Sequence, residues 1–114
     1  MKESQALRSF AALAQDTRLA ILRLLVRAGP AGFAAGAIAD EVGVSPSNLS
    51  FHLKELERAG LVDARREARS IIYSADYAAL RGLIQFLTED CCAGRKEVYR
   101  PAAKLRAAKS KVVV

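Results

Sequence analysis

The chain's two cysteines, Cys91 and Cys92, are adjacent and directly follow Thr88-Glu89-Asp90. Neighbouring thiolates are a soft donor pair for thiophilic ions. Trivalent arsenic and antimony bind sulfur in a three-coordinate pyramid, and two cysteines fill two of its positions. A disulfide between sequence neighbours needs a strained ring, so the pair is a poor staple. The plainer reading, two buried or incidental thiols, is the one an arbitrary pair would receive. His52 is the single histidine, so no four-ligand Cys/His zinc set can be assembled within one chain. His52 itself reads as a packed or hydrogen-bonded structural residue.

The second set of chemically useful residues lies in SPSNLSFHLKELERAG, residues 45–60. Ser45 reads as an N-cap and Pro46 as the first helical residue. On a helical wheel Leu49, Leu53, Leu56 and Gly60 share one sector, the buried side. Ser47, Phe51, Lys54 and Arg58 lie opposite, with Asn48 and Ser50 on the flanks. A polar, basic helix start of this kind suits a major groove. Asn pairs with adenine, Ser with several base edges, and Phe51 fits either a thymine methyl or another helix. Lys54 and Arg58 suit phosphates. Arg65, Arg66 and Arg69 follow at a hairpin tip, where such residues meet a DNA backbone or minor groove. Taken singly, exposed Ser, Asn and Lys are ordinary solvated residues.

These residues need a scaffold. Ala6, Leu7, Phe10, Leu13 and Ala14 fall at helical spacing from Glu3 to Ala14. A second helix, capped by Asp16, runs through Leu19, Ile21, Leu22, Leu24, Leu25 and Val26 to a stop at Gly29-Pro30. Residues 28–37 read as a loop into a short helix, Ala37 to Val42, ended by Gly43. That helix and the well-capped one after it form a helix-turn-helix pattern. Residues 61–66 and 70–74 then read as strands around the turn Glu67-Ala68-Arg69. A last helix from Asp76 or Tyr77 to about Asp90 carries Leu80, Leu83, Ile84 and Leu87 on one stripe. The expected fold is mainly α with a β-hairpin, a winged helix-turn-helix. Residues 1–94 form the DNA-binding and dimerisation domain, and 95–114 a basic, mobile tail.

Composition narrows the function. The 114 residues are 52% hydrophobic and 26% charged, the balance of one small globular domain. No apolar stretch approaches a bilayer span of roughly 20 residues, which excludes a membrane role. The N-terminal residues carry no secretory h-region, so a cytoplasmic location with reduced thiols is expected. The net charge is +6. Basic and acidic residues nearly balance up to Val98, and the surplus sits in Arg100, Lys104, Arg106, Lys109 and Lys111. That charge permits nucleic-acid binding without demanding it. With one histidine, no Gly-rich phosphate loop and no clustered acid/base set, an enzyme is not expected.

The segments ALAQDTRLAILRLL (12–25), SPSNLSFHLKELERAGLV (45–62), RREARSIIYS (65–74) and YAALRGLIQFLTEDCC (77–92) together resemble the ArsR/SmtB family. These are homodimeric winged-helix repressors that leave DNA when a metal or metalloid binds. The LTEDCC ending is similar to arsenic-responsive members with a cysteine pair at this helix end. The resemblance implies that residues 46–59 read operator DNA and 61–74 form the wing. It places Leu7, Phe10, Leu80, Leu83 and Leu87 at a dimer interface between first and last helices, and makes Cys91 and Cys92 the inducer ligands. No constitutive cofactor is implied. The chain departs from the family pattern in three places. AIADEV (37–42) lacks the cysteines of one arsenite site, the histidines of a zinc site are missing, and Val98 stands where a third cysteine often occurs. Two thiolates favour methylarsenite, whose carbon fills the third position; arsenite and antimonite fit with an added ligand. The other reading of the pair is a thiol redox or persulfide switch on the same DNA-binding fold.

Overall fold

The computed structural model describes residues 1–89. Five helices and three strands follow one another: α1 (Glu3–Leu13), α2 (Asp16–Ala28), β1 (Phe33–Ala34), α3 (Ala35–Val42), α4 (Pro46–Arg58), β2 (Val62–Glu67), β3 (Ser70–Ala75) and α5 (Tyr77–Thr88). The strands form one antiparallel sheet in the order β1-β3-β2. This is a winged helix-turn-helix, as the sequence leads one to expect. The boundary at residue 94 and the tail lie outside the described residues.

The core forms where the apolar stripes of α2, α3 and α4 converge. Ile21 and Leu25 of α2, Ile38 of α3, Leu56 of α4 and Leu61 are completely buried. Each such side chain contributes roughly 1.5–3 kcal/mol through water exclusion. Leu49 and Leu53 join them, so the buried sector of α4 is the one its periodicity defines. Helix α1 turns Ala6, Ser9 and Ala12 inward. These small side chains let it lie close to α2, α4 and α5, which it contacts.

Helix α4 is fixed at both ends. Ser45 is extended and its side chain accepts from the Asn48 backbone N–H, with Pro46 in the first turn. At the other end Gly60 has a φ of 79°. The Gly60 and Leu61 N–H groups donate to the carbonyls of Glu57 and Leu56 at 3.0 Å each, closing a Schellman motif.

Several local expectations are corrected. Asp16 does not cap α2. Gln15 holds that position, extended, and its side-chain oxygen accepts from the Arg18 N–H at 2.8 Å. The Asp16 carboxylate instead accepts from the Thr17 N–H at 2.7 Å. Within the expected loop, Phe33 and Ala34 pair with Tyr73 and Ile72 as a third strand, and α3 starts at Ala35. Gly32 permits that approach. Its φ is 70°, and a Cβ there would lie 2.3 Å from the Tyr73 carbonyl oxygen. The hairpin turn is also tighter than expected. Glu67 pairs with Ser70, leaving only Ala68 and Arg69 to turn, with Ala68 at a φ of 56°. Asp76 caps α5 by accepting from the Ala79 N–H at 3.0 Å, and the helix ends at Thr88.

Candidate nucleic-acid interface

The two caps of α4 leave its outer face free. Ser47, Asn48, Ser50, Phe51, Lys54 and Arg58 are all exposed, while Leu49, Leu53 and Leu56 are buried behind them. Arg58 is already partnered: its Nη1 lies 3.1 Å from the Glu55 carboxylate. The pair is solvent-exposed and so weakly held. Ser45 caps the helix, and its hydroxyl lies 3.4 Å from that of Ser47.

Phe51 is 59% exposed and meets the His52 ring edge-on, with centroids 5.4 Å apart. It packs on no other aromatic ring among the described residues. His52 is structural, as expected, and its Nδ1 lies 3.3 Å from Arg18 Nη1. Sequence reasoning missed Arg18 because its partners are 6 and 34 residues away, beyond any local pattern.

The wing divides its arginines between two tasks. Arg65 does not project freely toward DNA. Its guanidinium donates to Glu67 at 2.9 Å, to the Pro30 carbonyl at 3.2 Å and to the Ala31 carbonyl at 2.9 Å. It pins the wing to the loop before β1, reaching it across the central strand β3, on which β1 pairs at Ile72 and Tyr73 and β2 pairs Arg65 with Ile72. Arg66 and Arg69 are exposed and make no side-chain hydrogen bond or ion pair with the described residues. They remain available to a phosphate backbone.

Tyr73, on the central strand β3, packs partly buried against the core. Burial pushes its phenol up from its ordinary pKa, and the negative charge of Glu57 adds to this. Tyr77 donates its hydroxyl to the Val26 carbonyl at 3.1 Å, tying the start of α5 to the end of α2.

The residues expected at a dimer interface separate into two groups. Leu7 on α1 is 62% exposed, and on α5 Ile84 and Leu87 are 60% and 55% exposed. Phe10 is half-buried, and Leu80 packs partly against the core. Leu83 is buried within the single chain, at 6% exposure. Its place in an intersubunit contact is therefore corrected: the α5 stripe splits, with Leu83 turned inward and Ile84 and Leu87 outward. Cys91 and Cys92 lie outside the described residues. Among the described residues no group of three or more His, Cys, Asp or Glu side chains could hold a metal ion, and no helix is long and apolar enough to cross a membrane.

Known proteins share this arrangement. A helix-turn-helix domain family matches residues 13–65. The regulator YgaV of Escherichia coli is 34% identical over 88 residues, covering 77% of this chain and 87% of that protein. Nodulation protein NolR of Rhizobium meliloti is 40% identical over 78 residues, 68% of this chain but only 62% of NolR. Among solved structures, an ArsR-like transcriptional regulator from Rhodococcus sp. RHA1 superposes with a TM-score of 0.70 at 28% identity. That match covers 96% of this chain and 93% of the other. The homodimeric winged helix-turn-helix DNA-binding domain of Mb0332 from Mycobacterium bovis, a possible ArsR-family regulator, gives 0.61 at 36% identity. It covers 76% of this chain and 81% of that one. YgaV and these two solved structures are named as transcriptional regulators, not enzymes, and together with the shared fold they show that the chain belongs to the ArsR/SmtB family of winged helix-turn-helix regulators.

Proposed function

We propose that the protein is a homodimeric repressor of an operator carrying an imperfect inverted repeat, released when a trivalent arsenical binds Cys91 and Cys92. The observation that carries the DNA-binding half is the outer face of α4. It is polar, exposed and capped at the end a major groove would receive, with Arg66 and Arg69 free on the wing beside it. Support for the dimer comes from Leu7, Ile84 and Leu87, large apolar side chains exposed on α1 and α5. Two copies joined there would present two α4 helices to successive major grooves, about one DNA turn apart.

The inducer reading rests on the donor set. Two adjacent thiols come three and four residues in sequence after the last residue of α5, the helix that also carries Ile84 and Leu87. A ligand there acts on the dimer only if it binds the DNA-incompetent arrangement more tightly. A difference of a few kcal/mol is enough to change operator occupancy greatly. Two thiolates suit methylarsenite, and arsenite or antimonite would need a third ligand from solvent or elsewhere.

The test is fluorescence anisotropy of the full chain on labelled DNA from upstream of its own gene. The complex is titrated with methylarsenite, arsenite, antimonite and a polysulfide, with Cys91→Ser and Cys92→Ser in parallel. Release by methylarsenite, lost in both variants, is expected. Tight operator binding that ignores every arsenical would overturn the inducer assignment, and release by polysulfide alone would make the thiols a persulfide switch.

A further inference from the structure

Arg18 joins three elements through one side chain. Its Nε donates to the carbonyl of Ala12, in the last turn of α1, at 2.6 Å. Its backbone N–H is held by the Gln15 side chain in the cap of α2. Its Nη1 reaches His52 Nδ1 on α4 at 3.3 Å. A guanidinium only donates, so in this contact Nδ1 is the accepting atom. The contact orients the imidazole on α4.

That oriented ring is what Phe51 leans on. The two rings meet at an interplanar angle of 66° with centroids 5.4 Å apart, an edge-on arrangement favoured between aromatic groups. A single exposed apolar side chain is ordinary on a protein surface. Phe51 differs in two respects. It stands on the same outer face as Ser47 and Lys54, in the N-terminal half of α4, and one side of its ring is braced by a residue that is itself clamped. The apolar feature that a major groove offers such a ring is the C5-methyl group of thymine.

We propose that Phe51 reads a thymine methyl in each operator half-site, and that Arg18 and His52 are positioning residues that hold its ring for that contact. This rests on α4 being the DNA-reading helix. Because Arg18 also grips Ala12, a shift of α1 relative to α4 would loosen the brace. The helix expected to dimerise is thereby linked to the residue that reads the base.

The experiment uses the full-length protein on its own operator, with each thymine replaced in turn by deoxyuridine, which deletes only the methyl group. The expected result is a loss of about four-fold in affinity at one thymine per half-site, the worth of one buried methyl group. Phe51→Ala, at an exposed position, should fold normally, bind more weakly and no longer distinguish the two bases. His52→Asn keeps an acceptor near the Nδ1 position and loses the ring; Arg18→Lys loses the forked donor. Both should keep salt-dependent DNA binding and lose the discrimination. Circular dichroism identifies any variant that fails to fold, and Phe51→Ala with His52→Asn then decides the matter. Tight, specific binding by the wild type with no methyl-sensitive thymine would overturn the proposal and leave α4 as the reading helix. Absence of specific binding by the wild type would overturn both. Unchanged discrimination in folded His52→Asn would overturn the positioning role.

Discussion

Arg65 Nη2 lies 2.9 Å from the carbonyl oxygen of Ala31, and the same guanidinium also holds Pro30 and Glu67. A wing arginine suited by position to DNA is thus spent on joining the wing to the loop before β1. Arg65→Ala should lower stability by about 1 kcal/mol, since the clamp is partly exposed and solvent screens it. Arg66→Ala and Arg69→Ala should leave the melting temperature nearly unchanged. Each should instead reduce the slope of log affinity against log salt by about one. Thermal melts and salt titrations of the three variants separate the two roles. Equal effects of all three on melting would refute the division.

The sheet tolerates a side chain unequally at two positions with positive φ. Gly32→Ala drives a Cβ into the Tyr73 carbonyl and should destabilise by about 2–3 kcal/mol. Ala68 already occupies a conformation that favours glycine, at the tip of the hairpin. Ala68→Gly should stabilise by about 0.5–1 kcal/mol. Urea denaturation measures both, and opposite signs are expected.

Tyr73 supplies a pH dependence. Its phenol is raised above the ordinary value of 10.0 in the folded chain, by burial first and by Glu57 second. The folded state therefore holds this proton more tightly than the unfolded state. The resulting stability is fully present below about pH 10 and is lost as pH rises through the folded pKa. Phenolate absorbance should show one tyrosine titrating late, absent in Tyr73→Phe. Glu57→Gln should bring that titration lower, by less than burial alone raises it.

The exposed apolar residues of α1 and α5 give a prediction on assembly. Ile84→Glu and Leu87→Glu alter side chains that touch solvent in the single chain, so its fold should survive. Both should move the sedimentation profile from dimer to monomer. Operator affinity should fall by more than about ten-fold, because one half-site contact is lost. Leu83→Glu should unfold the chain instead, since Leu83 is buried within it.

The parts of the fold governed by local rules were legible in the sequence. Ser45-Pro46 and Gly60 bound α4, and the three-to-four-residue spacing of Leu49, Leu53 and Leu56 names its buried side. The hairpin was visible from its change of period. Features that depend on distant partners were not. Phe33-Ala34 is too short to show a strand period and becomes one only because β3 offers an edge. Arg65 and Arg18 look like any basic residue until the fold brings backbone carbonyls beside them. Leu83 and Leu87 share a stripe in sequence, and only the packing of α5 shows which is covered. Asp16 is a good capping type, but Gln15 takes the cap because it is the residue with extended backbone.

Whether the outer face of α4 recognises the operator can be decided by anisotropy on labelled upstream DNA with the double variant Asn48→Ala/Lys54→Ala. Arg23→Ala, an exposed cation on α2, serves as the charge control. The double variant should lose at least about ten-fold in operator affinity, with an unchanged melting temperature, through a lost base contact and a lost phosphate contact. Arg23→Ala should alter affinity by less than about two-fold, as expected of a weak non-contacting charge at moderate salt. A double variant that binds operator as tightly as the wild type, or a control that weakens binding equally, would contradict the assignment of α4 as the reading helix.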